Sequence, residues 1–394
     1  MTHDLYLTAD EAATLLGVTR STLYAYVSRK KLRSFETPGD RARRYWRPDV
    51  MALAAGEKPE MARAGERQTA ITFLTEQGTY YRGRNVVELA ETDSVESVAG
   101  LLWQADPSTL FTDRLPNPVP GQADLLKGLA FASPLDRAVA MMALLERSNP
   151  RAFDLSPAGF TQSGVDVVRW LIALLFDRDA PTAEPLHLAV ARATGQSAEI
   201  ADLVRRAMIL VADQQFGDTT RAVRAAATTG ITPYGVVIVG IIANNGPSIR
   251  FNRVDAVRRF ILEVVTSDYP EEAVISRVRA GEKIPGFETL LFHETGDSRV
   301  DALLNASKRV FAGSPELERL TRALDLATDL TNREPSFVVP LVFLGHMLGM
   351  RGNELAIATI GRSLGWIAHA HEQMQQSPVR LPAAYIGDLP KPIL

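Results

Sequence analysis

Apolar side chains recur at a 3.6-residue period through most of the stretch from Ser133 to Gln375, and this pattern constrains the fold more than any other feature of the chain. Ala138 to Leu145, Val165 to Leu175, Ala201 to Val211 and Val254 to Val264 each place an apolar stripe on one face of a helix. Stripes of that kind must be buried against one another, which predicts a mainly α body of helices packed on helices. Strand-like alternation is scarce outside Ala70 to Tyr81, which reads as a short hairpin turning at Gln77-Gly78. Gln104 to Gln122, with Pro107, Pro116, Pro118 and Pro120, reads as an irregular stretch wrapped on the surface.

The N-terminal end is different. Between Arg20 and Arg47 stand nine Lys or Arg against two acids, Glu36 and Asp40, in a chain whose net charge is only -3. Concentrated positive charge of this kind is the footprint of a phosphate-backbone binder. Thr8-Ala9-Asp10-Glu11 has the form of a capping box, in which hydroxyl and carboxylate satisfy the first free N–H groups of a helix. Ala12, Ala13, Leu15 and Leu16 give that helix its apolar side, and Gly17 supplies the turn. Thr19 then caps a second helix, Arg20 to about Ser28, which turns Leu23 and Val27 inward. Arg20, Ser21 and Tyr24 are left outward, where a recognition helix meets base edges in a major groove. Leu32 to Trp46 reads as a two-stranded wing around Pro38-Gly39-Asp40, carrying Arg41, Arg43 and Arg44, while Lys30 and Lys31 lie just before it. These residues resemble the small MerR or excisionase-type winged helix-turn-helix. The expected organisation is a DNA-binding domain over 1–55, a polar linker over 56–68 and a large body over 69–394.

Composition removes several classes of chemistry. With no cysteine there is no disulfide, thiolate nucleophile or cysteine-ligated metal, and only six histidines remain: His3, His187, His293, His346, His369 and His371. His369 and His371 are two apart on a helix and face different ways, so they make poor metal partners. His346 lies in an apolar run and reads as a core histidine, and His293 as a loop residue. No glycine-rich nucleotide fingerprint follows a strand. No run approaches the roughly 18 apolar residues of a membrane helix, and no signal-peptide block opens the chain, so the expected location is the cytoplasm. Neither a metal nor a bound cofactor is expected.

Five stretches carry a family signature. TYYRGRNVVELA, ATTGITPYGVVIVGIIANNGP, GEKIPGF followed by DSR, IGRSLGWIAHAHEQ and VRLPAAYIG stand in the order and at nearly the spacing of the citrate synthase family, over about Thr69 to Asp388. The resemblance implies a dimer of all-α subunits. Each would have a large domain and a small-domain segment, about 231–345, closing over oxaloacetate and acetyl-CoA. It also implies a carboxylate base, two imidazoles that stabilise the enolate and polarise the ketone, and arginines that hold the oxo acid.

Carried onto this chain, the family pattern is incomplete. Ile249 stands where the enolate-stabilising His should be, with Arg250 and Phe251 replacing two glycines. Thr289, behind Glu288, takes the place of the ketone-polarising His. Val338 takes the place of the base, Glu334 serving only if the register slips. Gln214 replaces a further substrate-contacting His. Arg299, Arg362 and Arg380 match the carboxylate-binding arginines, unless Arg299 and Arg362 simply pair with interior acids. The resulting expectation is a citrate-synthase-like pseudoenzyme with no catalytic residues, acting as a DNA-binding regulator or sensor of a small carboxylate or an acyl-CoA. The alternatives are a non-catalytic subunit paired with a citrate synthase paralogue, and an active citrate or 2-methylcitrate synthase. A homodimer or such a heterodimer is the expected assembly.

Overall fold

The computed structural model describes residues 5–29, 32–36, 43–56, 68–75, 78–249, 253–287 and 296–376. The chain divides into two compact units, Met1–Gln68 and Thr69–Leu394. In the first, β1 (Tyr6–Leu7) leads into α1 (Ala9–Leu16) and α2 (Arg20–Ser28), followed by β2 (Ser34–Glu36), β3 (Arg43–Trp46) and α3 (Arg47–Ala54).

The local signals read from the sequence hold. Glu11 N donates to Thr8 Oγ1 at 3.2 Å and Thr8 N donates to Glu11 Oε2 at 2.7 Å, closing the capping box. Gly17 ends α1 with φ 63°, a conformation favouring glycine, and Thr19 Oγ1 caps α2. The wing is three-stranded rather than two-stranded, in the order β1-β3-β2 and antiparallel throughout. The two residues of β1 are too few to leave an alternation in the sequence. The turn 37–42 and residues Lys30 and Lys31 lie outside the described residues. Leu7, Ala12, Leu23, Leu32, Tyr45 and Val50 form the core of the unit.

The second unit opens with a hairpin of β4 (Thr72–Thr75) and β5 (Gly78–Tyr81), its turn lying outside the described residues, extended by β6 (Arg84–Asn85). The rest is helical. Three of the periodic stretches lie within helices Pro134–Ser148, Pro157–Leu175 and Ala198–Val211, and the fourth runs from the N-cap Val254 into the Asp255–Thr266 helix. The Ala356–Gln375 helix is buried on every side from Ala356 to Ala370, among the Pro157–Leu175, Ala198–Val211, Asp218–Ala227 and Pro233–Asn244 helices. Close approach there depends on Gly365: a Cβ at that position would sit 2.2 Å from the Ala212 carbonyl oxygen. A second, smaller core gathers residues between Val257 and Phe343. The 104–122 stretch is irregular apart from Pro107–Leu110 and is tied down by Arg169, which donates to the carbonyls of Thr112 and Arg114.

Candidate functional site

The centre of the body is a buried carboxylate. The Ala198–Val211 helix ends beside the Ala356–Gln375 helix and delivers Asp213, fully buried, into a ring of donors. Arg362 Nη1 lies 3.2 Å from Oδ1, His369 Nε2 3.0 Å from Oδ2, and Thr72 Oγ1 donates to Oδ2 at 2.6 Å. Gln215 N donates to the same oxygen at 3.0 Å, and the Tyr81 hydroxyl bridges the backbone N–H and carbonyl of Asp213. Burial alone would push the Asp213 carboxyl up, but His369, Arg362 and Thr72 hold it well below the ordinary carboxylate range. Burial pushes the Tyr81 phenol up.

His369 is more than a packing residue. Its Nδ1 faces Arg224 Nη1 at 3.3 Å, and a guanidinium has only protons to give, so Nε2 carries the hydrogen donated to Asp213. Arg224 also bonds Glu372 at 2.6 Å and Gln376 at 2.8 Å, and Glu372 Oε1 accepts from Ala70 N at 2.7 Å. Sequence reading missed this array because two histidines two apart on a helix carry no ligand pattern. The usable signal was an acid at the end of a buried helix, which needs cations around it. His371, by contrast, stacks on Phe160, and His346 is half-buried rather than a core residue.

Arg299 and Arg362 are each paired with an interior acid. Arg299 is fixed bidentately to Asp297 (Nε–Oδ1 3.0 Å, Nη2–Oδ2 2.7 Å) and lies over the Phe337 ring, while its Nη1 is buried with no partner among the described residues. Arg362 Nη2 reaches Thr220 Oγ1 at 3.4 Å. Arg380 lies outside the described residues, as do Thr289, Arg250, Phe251 and His293. Ile249 is half-buried at the end of the Pro247–Ile249 turn, and Gln214 is exposed beside buried Asp213. Val338 is half-buried at the start of the Val338–Met347 helix, and Glu334 is exposed. Ser336 N donates to the Gly286 carbonyl at 2.7 Å, so the IPGF loop and the start of that helix are bonded together. A Cβ on Gly286 would meet Val339 Cγ2 at 2.4 Å.

The N-terminal unit carries a groove of about 530 Å³ among Asp10, Arg20, Tyr24, Arg43, Arg44 and Tyr45. Tyr24 is half-exposed on α2 and Ser21 is exposed. Arg20 is held by Asp10: its Nε lies 2.7 Å from Oδ1 and its Nη2 bonds Oδ2. Arg41 lies outside the described residues.

Residues 61–382 match the family described as "Citrate synthase, C-terminal domain". The chain belongs to the citrate synthase family. Residues 6–57 match a helix-turn-helix domain, which suggests DNA binding. Three solved citrate synthases share the fold. The enzyme from Thermotoga maritima MSB8 is 20% identical with a TM-score of 0.64, covering 83% of this chain and 95% of its own. That from Pyrobaculum aerophilum is 17% identical with a TM-score of 0.68, covering 92% and 96%. That from Thermoplasma acidophilum, solved as a ternary complex with carboxymethyl coenzyme A and oxaloacetate, is 16% identical with a TM-score of 0.63, covering 83% and 95%. Among the described residues of this citrate synthase relative, no helix is long and apolar enough to cross a membrane, and no group of three or more His, Asp or Glu is placed to hold a metal.

Proposed function

We propose that this protein is a DNA-binding regulator whose citrate synthase body no longer performs the condensation and instead senses a small carboxylate. Val338 carries the reading. It stands where the resemblance puts the general base, and a hydrocarbon side chain cannot take a proton from a thioester methyl. Ile249 and Thr289 stand where the two imidazoles belong, so the chain lacks both the base and the groups that would stabilise an enolate or polarise a ketone. Loss of one general acid or base costs about 10² to 10⁴ in rate, and no described histidine is placed to substitute.

Carboxylate sensing rests on the arginines. The Nη1 of Arg299, buried with no partner among the described residues, is a donor placed to take a ligand oxygen while Asp297 keeps the guanidinium in place. The exposed residues of α2 and the basic strand β3 supply the DNA-facing side. One module of this size makes few phosphate contacts, so a dimer presenting two of them gives useful affinity and specificity.

The test is a gel shift of the full chain on fragmented DNA across a salt series, with and without oxaloacetate or citrate. Binding whose log affinity falls linearly with log salt, and which shifts with the carboxylate, supports the reading. Failure to bind even at low salt ends it.

A further inference from the structure

The body holds another cavity, of about 210 Å³, away from the Asp213 array, where the C-terminal half of the Pro157–Leu175 helix meets the 178–184 loop and the Leu186–Ala193 helix. Its apolar side is made by Ile172, Ala173, Leu186 and Ala189. Its polar side is made by Arg169, Arg178, Arg192 and Glu184, three cations against one acid and hence an excess of two positive charges.

Arg169 is the unusual member. It is only 3% exposed, and its two Nη groups donate to the carbonyls of Arg114 at 2.8 Å and Thr112 at 2.9 Å. Asp166, one turn earlier on the same helix, is taken by Arg114, whose Nη2 lies 3.0 Å from both carboxylate oxygens. The Nε of Arg169 is buried with no partner among the described residues. A buried cation held by two carbonyls and short of a paired anion is costly unless something supplies one. Glu184, also on the cavity wall, engages Arg192 through Oε1, and its Oε2 is buried with no partner among the described residues. Arg178 is tethered at the rim by its bond to the Ala193 carbonyl at 3.0 Å.

We propose that this cavity is a ligand site for a small carboxylic acid that combines a branched apolar body with a hydrogen-bond donor, as an α-amino acid or a 2-hydroxy acid does. The carboxylate accepts from Arg169 Nε and from Arg178, the ammonium or hydroxyl donates to Glu184 Oε2, and the branched carbons lie on Ile172, Ala173, Leu186 and Ala189. The volume is about seven water volumes, which admits a short branched acid. The site is independent of the proposed carboxylate sensing at Arg299, which uses another helix.

Isothermal titration of the full chain with L-valine, 2-hydroxy-3-methylbutanoate, 3-methylbutanoate and inorganic phosphate tests this without reference to DNA binding or catalysis. At least one donor-bearing acid binds saturably at millimolar concentration or below, 3-methylbutanoate binds about tenfold more weakly, and phosphate does not bind. Ala189→Phe, which fills the cavity from a half-buried position, abolishes that heat. Arg178→Gln, at an exposed position, weakens it about tenfold, and both variants keep the thermal midpoint of the unliganded parent. Absence of binding by both donor-bearing acids overturns the proposal, as does binding that survives in Ala189→Phe or a phosphate isotherm equal to theirs.

Discussion

The two units use one pair of residue types, an aspartate and an arginine, in opposite settings. In the N-terminal unit the Asp10 and Arg20 side chains are 70% and 59% exposed. In the body Asp213 and Arg362 are 0% and 7% exposed, and Asp213 also receives His369, Thr72 and Gln215. Water solvates both members of the first pair when it opens, so the bond matters little to stability. It matters to the proposed DNA binding, because Asp10 neutralises a cation in the groove that Arg20, Arg43 and Arg44 line. The second pair cannot open without stranding charge in the core, so its worth lies in keeping every buried group satisfied. The difference teaches that an arginine matching a ligand-binding position can equally be a structural cation, and its surroundings decide which.

That contrast can be broken at graded cost. Asp213→Asn leaves the Arg362 charge buried without its anion, and urea unfolding should show a loss of about 3–5 kcal/mol. Gly365→Ala drives a methyl into the Ala212 carbonyl and should cost about 1–3 kcal/mol by the same measurement. Thr72→Val removes one donor to the Asp213 carboxylate while keeping the side-chain shape, a loss of about 1–2 kcal/mol. Asp10→Asn should leave the unfolding midpoint unchanged, yet freeing Arg20 should steepen the salt dependence of DNA binding by about one counterion.

Acid sharpens the same comparison. The Asp213 carboxyl is held below its ordinary value in the folded protein, so its contribution to stability is fully present above the unfolded pKa of about 3.9 and is lost as pH falls through the lower folded value. The parent should therefore lose stability below about pH 4 more steeply than Asp213→Asn, followed as thermal midpoint against pH.

Much of the fold was legible because its signals are local. The Thr8–Glu11 box, the Gly17 turn, the Thr19 cap and the 3.6-residue stripes each act within a few residues. The hairpin from Ala70 to Tyr81 was legible for the same reason, while β1 was not, since Tyr6 and Leu7 become a strand only by pairing with Trp46 and Tyr45. The site was less legible. Thr72, Asp213 and His369 meet across separations of 141 and 156 residues, and no spacing rule joins them. Motif comparison placed Arg299 and Arg362, but only the structure shows that Asp297 and Asp213 already hold them.

The central claim is that the body has lost its chemistry while keeping the fold. It is tested most directly by following thiol release from acetyl-CoA and propionyl-CoA in the presence of oxaloacetate, using the purified full chain. The account predicts no oxaloacetate-dependent release above the uncatalysed background. Turnover in the range of ordinary enzymes, about 1–10³ per second, would contradict it.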